Sequence, residues 1–158
     1  MLAHTVHTVD PYVANMPVAT ETVMAQCEFD FVDKYKPKYF KEDAEGGIHM
    51  TQEPGELTHF IGYFSGLKSG RHALKIHEFG DLEYGCKATG NVYNPYGSPH
   101  GETKKGITER RVGDIHMVQA RFDWNAEYIS RDQYANLSGP NSIIGRSLVI
   151  YQREDDFD

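Results

Sequence analysis

The residues of this chain best suited to metal chemistry lie in one short stretch, RHALKIHEFGD, which predicts a β-strand that ends at a Gly-Asp turn. Lys75 and His77 stand two residues apart, so a strand presents their side chains on the same face. The imidazole of His77 is a good ligand for copper or zinc. The ammonium of Lys75 has three donors and no acceptor, so it repels a cation. A strand histidine taken alone is more often a structural residue than a ligand.

Further candidates follow in the loop region after this strand. His100 comes directly after Pro99, and Asp114 ends the sequence RVGD before a predicted strand. Asp114 is equally suited to capping the loop, to pairing with Arg111, or to binding a metal. A substitute set of ligands would have to come from three other histidines, His59, His72 and His116. We expect these to be ordinary strand residues, because ligands must converge in space.

The elements that position these residues are predicted to be short strands separated by turn signals. No window has helical periodicity, so the pattern favours an antiparallel sandwich or barrel. Residues 34–47 are charged and end in Gly46-Gly47, which predicts a connection. Residues 80–113, rich in Gly, Pro, Asn and Lys, form a long loop of the kind that is usually functional or disordered. The predicted strands cover residues 23–31, 48–52, 57–65, 74–79, 115–124, 126–130 and 147–152.

Composition bounds the class of protein. The 158 residues predict one domain, residues 23–158, after a flexible extension at residues 1–22. The net charge of −7 argues against binding to nucleic acid or to an anionic membrane surface. No apolar run approaches the roughly 20 residues that span a bilayer, and the first residues do not form a secretory signal. Two cysteines do not make a disulfide framework. We therefore expect a cytoplasmic protein.

Several sequence blocks carry a resemblance to a known family. In chain order they are Gly66-Leu67, HALKIHEFGDL, Gly85-Cys86, Asn94-Pro95, His100-Gly101, ERRVGD, LSG and IIGRSLVIYQREDD. The order and spacing resemble copper/zinc superoxide dismutase from about residue 23 to residue 156. The resemblance implies an all-β Greek-key barrel or sandwich with a metal-loading loop at residues 80–113. It also implies that the last strand of the family is lacking, because the chain stops at Asp158.

The resemblance further implies which residues correspond to the family's metal site. Family members bind copper through four histidines and zinc through three histidines and an aspartate, with one histidine shared. Retained ligand positions fall at His77, His100 and Asp114, and the aspartate that links the two metal sites corresponds to Asp155. The former ligand positions that carry another residue are Lys75, Val92, Arg111 and Tyr151.

The replaced positions are poor ligands. Val92 has no lone pair, the guanidinium of Arg111 keeps its proton in proteins, and Tyr151 would bind only as a phenolate. The remaining ligands are too few for a structural zinc site, which normally has four. We hypothesise that two side-chain cations replace the two metal ions, with Arg111 beside Asp114 and Lys75 near Asp155. The cations would then compensate carboxylates that are costly to bury unpaired.

The function expected from this pattern is that of a catalytically inactive member of the family, a binding or structural module without a cofactor. One alternative is a degenerate but active dismutase, which would use copper and zinc in a rearranged site that includes His77. Another is a copper-handling protein, which we rank last because the chain has no Cys-rich metal domain.

The lacking strand has consequences for partners, because it would leave two open sheet edges that invite pairing. Residues 12–20 could fold back beside the first strand, a partner chain could donate a strand, or the sequence could be a fragment of a longer chain. The resemblance implies homodimer contacts at residues 143–146. The usual disulfide partner of Cys86 lies in the part of the family that this chain does not match, so we expect Cys27 and Cys86 to be reduced thiols.

Overall fold

The structure, a computed structural model, describes residues 2–5, 7–8, 18–29, 40–139 and 141–156. Strands and one short 3-10 turn, Gly85–Lys87, are the regular elements of these residues. None of their helices is long and apolar enough to cross a bilayer. The strands are β1 (Leu2–Thr5), β2 (His7–Thr8), β3 (Val23–Phe29), β4 (Phe40–Gln52), β5 (Thr58–Leu67), β6 (Gly70–His72), β7 (Leu74–His77), β8 (Val118–Ala120), β9 (Asn125–Asp132) and β10 (Ser147–Ile150).

Three antiparallel sheets make up the domain. The largest has the order β2-β3-β4-β5-β9, the second has the order β1-β10-β7, and β6 pairs with β8 in the third. The strict alternation of buried and exposed residues along β3 shows that the large sheet has one face on the core and one on solvent. By contrast, every residue of β7 and of β10 is buried. The prediction of an all-β fold is confirmed.

The core fills the space between the two larger sheets. The rings of Phe29 and Phe64 meet edge to face, with their centroids 5.2 Å apart. Ile76 of β7 and Leu148 of β10 are fully buried in the same core cluster. Cys27 lies in this core as well, and burial raises the pKa of its thiol. The opposite face of β7, which carries Lys75 and His77, is turned away from this core.

The prediction that residues 34–47 form a connection is partly wrong. Residues 34–39 lie outside the described residues, but β4 begins at Phe40 and pairs with β5 through Gly46 and Gly47, with a register shift between Phe40 and Glu45. A Cβ at Gly46 would overlap the ring of Phe64. This glycine therefore marks a close approach between strand and side chain, and the sequence pattern was misread as a turn.

The first residues of the chain join the two larger sheets. β1 lies beside β10, and β2 lies beside β3. His7–Thr8 lie beside β3, the predicted first strand, and the expectation that residues 12–20 fold back there falls mostly on residues outside the described ones. Residues 12–17 lie outside the described residues, and residues 18–20 are not in a strand.

Candidate functional site

The site is built on the face of β7 that points away from the core. Leu74 and Ile76 pack into the core, so the two-residue period of the strand turns Lys75 and His77 to the opposite face. Both side chains are nevertheless buried, with residue exposures of 5% each. Their cover is the long loop that follows β7.

The loop is held against the free edge of β7 by backbone hydrogen bonds. The amide of Ile76 donates to the carbonyl of Gly113 at 3.0 Å, and the amide of Tyr93 donates to the carbonyl of Ile76 at 2.8 Å. The amide of Gly113 in turn donates to Tyr93 at 2.8 Å. These bonds bring Val92 beside His77 and Asp114 beside Lys75.

Gly113 is the position at which this packing is tightest. A Cβ there would overlap the carbonyl oxygen of Ile76 and would lie 2.7 Å from Cγ1 of Val92. We expect Gly113→Ala to lower the free energy of unfolding by about 1–3 kcal/mol through overpacking. Urea denaturation measures the change, with Gly106→Ala, in an open part of the loop and without a positive φ, as the control for the general cost of replacing a loop glycine. Equal losses in the two variants would contradict the account of the packing.

The Lys75 ammonium lies between two carboxylates. Its Nζ donates to Oδ1 of Asp114 at 2.9 Å and to Oδ2 of Asp155 at a short distance. The three side chains are 7%, 0% and 8% exposed, respectively. Opposite charges at this separation attract strongly when water is excluded. The ammonium therefore occupies the position at which the two carboxylates converge.

Arg111 supplies a second cation to the same group. Its Nε donates to Oδ2 of Asp114 at 3.1 Å, and its Nη2 donates to Nδ1 of His100 at 2.6 Å. The same Nδ1 lies 3.0 Å from Oδ2 of Asp114, so it accepts from the guanidinium in the neutral tautomer protonated at Nε2 and donates to the carboxylate when it carries a proton itself. The other ring nitrogen of His100 lies 2.9 Å from Oδ1 of Asp155. Two fixed cations thus face two carboxylates and one imidazole.

The electrostatics of Asp114 reflect these donors. Burial raises the pKa of this carboxyl, but hydrogen bonds from Arg111 and Lys75 and the charge of Lys75 outweigh burial, so the pKa is lowered from 3.8. Asp114 therefore stays ionised in the folded protein at neutral pH.

His77 forms a separate group with Tyr151. Its Nδ1 donates to the carbonyl of Gly90 at 2.9 Å, and the Tyr151 hydroxyl donates to Nε2 at 2.8 Å. The Thr89 hydroxyl lies 3.0 Å from Nδ1 and donates to the carbonyl of Cys86. This arrangement needs a neutral imidazole, because a protonated Nε2 could not accept from Tyr151. Burial is the main cause that lowers the pKa of His77 and that raises the pKa of Tyr151.

A pH dependence follows from the lowered pKa of His77. The unfolded chain takes up this proton near pH 6.5, and the folded chain does so only at lower pH. We therefore expect stability from this group to be complete above pH 6.5 and to fall as the pH drops towards the folded pKa, by at most about 1.4 kcal/mol per pH unit. The measurement is the difference in unfolding free energy between the wild type and His77→Gln across this range. A difference that does not change with pH would contradict the prediction.

An open cavity of about 740 Å³ adjoins both groups. Val92 presents an apolar side chain to it, and Lys75, His100, Arg111 and Tyr151 add polar atoms. The lining of the cavity therefore combines apolar and polar side chains.

The three other histidines do not form a ligand set. His59 is exposed on the outer face of β5, while His116 lies 3.4 Å from the Thr103 hydroxyl. Both ring nitrogens of His72 lie within 2.9 Å of backbone carbonyls, those of Tyr151 and Lys68. In the described part of the chain, the group of donors close enough to share an ion is His100, Asp114 and Asp155.

Sequence reasoning missed two residues that support the site. Arg110 is fully buried and donates to the backbone carbonyl of Asp114 at 2.9 Å and to Asp132 at 2.7 Å. Thr89 holds the imidazole of His77 as described above. The signal for Arg110 was its place beside Arg111 in ERRVGD, but a sequence cannot tell which of two adjacent arginines points inward.

The donors of this site do not fit a copper or zinc ion. His100, Asp114 and Asp155 have ligand atoms within 4.8 Å of one another, but Lys75 and Arg111 already contact both carboxylates and the imidazole. A divalent ion there would stand directly beside two fixed positive charges. The nitrogens of the His77 imidazole are already hydrogen-bonded, and neither Val92 nor an ammonium provides another donor.

Comparison with known proteins identifies the class of this fold and site. A family model described as copper/zinc superoxide dismutase (SODC) matches residues 44–158. The chain therefore belongs to the copper/zinc superoxide dismutase family.

Individual relatives agree with this assignment. The chain is 40% identical over 117 residues to the superoxide dismutase [Cu-Zn] of Onchocerca volvulus, a match that covers 74% of this chain and 67% of that protein. It is 39% identical over 111 residues to the extracellular superoxide dismutase [Cu-Zn] of Brugia pahangi, covering 70% of this chain and 54% of that protein. The chain thus spans between half and two thirds of these relatives.

A solved structure shares the fold. The crystal structure of the clock protein EA4 superimposes with a TM-score of 0.71 at 28% sequence identity. The superposition covers 90% of this chain and 82% of that one.

Proposed function

We propose that this chain is a metal-independent member of the family that does not dismute superoxide and that acts as a binding or structural module. The observation that carries the proposal is the position of Lys75, whose ammonium bridges Asp114 and Asp155. Dismutation needs a centre that alternates between two redox states, which copper supplies and an ammonium does not. The fold and its long loop are kept while the chemistry is not.

Charge balance supports the proposal. Lys75 and Arg111 contribute two positive charges, and Asp114 and Asp155 contribute two negative charges, so the group is neutral without an ion. Buried carboxylates are costly without such partners. The two cations therefore take over the role of metal ions in the loop. They compensate the carboxylate charges and hold the loop against β7.

A second candidate rests on the convergence of His100, Asp114 and Asp155. If Lys75 and Arg111 moved aside, an imidazole and two carboxylates would suit zinc. A rearranged copper centre at His77 would in addition require the Tyr151 hydrogen bond to break. This is the active-dismutase alternative, with copper and zinc as cofactors.

The test is metal analysis of the full chain produced in cells supplied with copper and zinc, combined with a superoxide assay. We expect far less than one equivalent of either metal and no activity above that of buffer. A family member with all its ligands, prepared in parallel, shows that the cells deliver metal. Stoichiometric copper with activity would establish the second candidate, and stoichiometric zinc without activity would refute metal independence.

A binding or structural role entails a protein partner, either a second copy or another chain. A cytoplasmic location stays a prediction from the sequence.

A further inference from the structure

The first residues of the chain are held in the fold as edge strands. β1 is the edge of the sheet β1-β10-β7, and β2 is the edge of the sheet β2-β3-β4-β5-β9. They are four and two residues long, whereas the neighbouring strands β3 and β4 have seven and thirteen residues. A short edge strand opens at a lower free energy than a central strand, because it is paired on one side only.

Both larger sheets keep their other pairings when β1 and β2 are taken away. β10 still has β7 as its neighbour, and β3 still has β4. The core residues Phe29, Phe64 and Ile76 lie in β3, β5 and β7. Departure of β1 and β2 would therefore leave the two sheets intact and uncover one edge of β10 and one edge of β3.

Cys27 lies where these two edges meet. It belongs to β3, is 1% exposed, and forms a hydrogen bond with the backbone of Leu148 in β10. Leu148 stands opposite His4 of β1. Gln26, the residue before Cys27, stands opposite His7 of β2. β1 therefore borders one end of the contact between Cys27 and Leu148, and β2 borders the other end.

We propose that β1 and β2 together form a displaceable strand, and that the edges of β10 and β3 beneath it are a seat for one extended peptide segment. In the structure the occupant of this seat is the chain's own N-terminal segment, which runs antiparallel to both β10 and β3. Affinity in such a seat comes from main-chain hydrogen bonds, so a competing segment has to be extended and free of proline where it pairs with β10. The proposal holds whether or not the candidate site binds a metal.

The reactivity of Cys27 reports whether the seat is open. A buried thiol is inert, and burial also raises the pKa of Cys27, so an electrophile reaches its thiolate only after the strand has left. The measurement is the rate at which iodoacetamide alkylates Cys27 at about pH 8, followed by mass spectrometry. Every protein carries Cys86→Ser, so that Cys27 is the one thiol present.

Proline in β1 should open the seat. The double variant Ala3→Pro/His4→Pro removes at least one hydrogen bond to β10, because adjacent residues of an antiparallel edge strand take turns in donating to the partner. We expect Cys27 to be alkylated roughly tenfold faster in this variant than in the wild type.

Gly113→Ala is the matched control, because it strains the packing of the long loop against β7 and leaves β1 and β2 untouched. We expect this variant to keep the alkylation rate of the wild type, although its free energy of unfolding is lower. An alkylation rate that rises with the lost stability would show that Cys27 is reached only through global unfolding, and that result would overturn the proposal.

A peptide with the sequence of residues 1–9 tests the seat itself. Added in excess to the proline variant, it should slow the alkylation of Cys27 severalfold. The same peptide with Ala3→Pro and His4→Pro should have no effect. If the unaltered peptide gives no protection, the seat does not bind an extended segment and the proposal is wrong.

Hydrogen exchange of the wild-type chain makes the test independent of whether the proline variant folds. We expect the slowest amides of β1 to exchange roughly a hundredfold faster than the slowest amides of β4 and β5, with little dependence on low concentrations of denaturant. Equal protection of β1 and β5 would mean that the N-terminal segment leaves only when the whole domain unfolds. The strand would then be a fixed part of the barrel and not a displaceable one.

Discussion

Replacing Lys75 by methionine is expected to lower the free energy of unfolding by about 3–5 kcal/mol, the usual cost of breaking a buried ion pair by removing one partner. Methionine has a similar length, so packing changes little and the charge is the main loss. Asp114 keeps its bonds to Arg111, but Asp155 loses the ammonium that pairs with it inside the protein. The measurement is urea or thermal unfolding at neutral pH.

A double-mutant cycle separates charge from packing in this prediction. Asp155→Asn alone should also destabilise, whereas Lys75→Met with Asp155→Asn should recover a good part of the loss because no unpaired carboxylate remains at that position. A matched surface pair is Arg71 and Glu154, which lie 3.3 Å apart with both side chains more than half exposed. Arg71→Met should cost far less than Lys75→Met, because exposed pairs contribute little. Equal costs at the two positions would contradict the bridging role of Lys75.

The sequence could predict which residues form this site but not which hydrogen bonds join them. The order of the blocks is enough to place His77, His100, Asp114 and Asp155 around one loop, and the chemistry of ammonium and guanidinium groups suggested that they oppose the carboxylates. That one ammonium contacts both carboxylates depends on the backbone approach at Gly113, which no residue pattern encodes. The hydrogen bond from Tyr151 to His77 was missed for the same reason, since it joins residues 74 positions apart.

In the fold too, local features could be predicted from the sequence, whereas features that depend on distant contacts could not. Alternation in β3 is a local signal, and the strand is where the pattern puts it. The start of β4 was missed because Gly46 and Gly47 are turn signals when read locally, although here one of them makes room for Phe64 across the sheet. The pairing of residues 2–5 with β10 is also beyond local reasoning, because it joins the two ends of the chain.

Restoring histidine at the four replaced positions should turn a metal-indifferent protein into a metal-dependent one. The changes are Lys75→His, Val92→His, Arg111→His and Tyr151→His in one chain. They remove both cations and add four imidazoles beside the three retained donors, so the site gains ligands and loses the groups that repel an ion. At zinc concentrations of about 1,000 times the dissociation constant, the variant should gain about 4 kcal/mol of stability. The wild type should show no change in its melting temperature.

The matched control is the same chain with glutamine at the four positions, which removes the charges without adding imidazoles. If lost donors and retained cations both exclude the ion, the glutamine variant should gain no more than a weak response to zinc. A histidine variant that is unfolded without metal still tests the prediction, because addition of zinc would then restore its far-UV circular dichroism and its cooperative melting. Stabilisation of the wild type by zinc to the same extent as the histidine variant would show that Lys75 and Arg111 do not close the site. Lys75 and Arg111 would then have to move away from Asp114 and Asp155 easily. In that case the loss of stability expected for Lys75→Met would also be smaller.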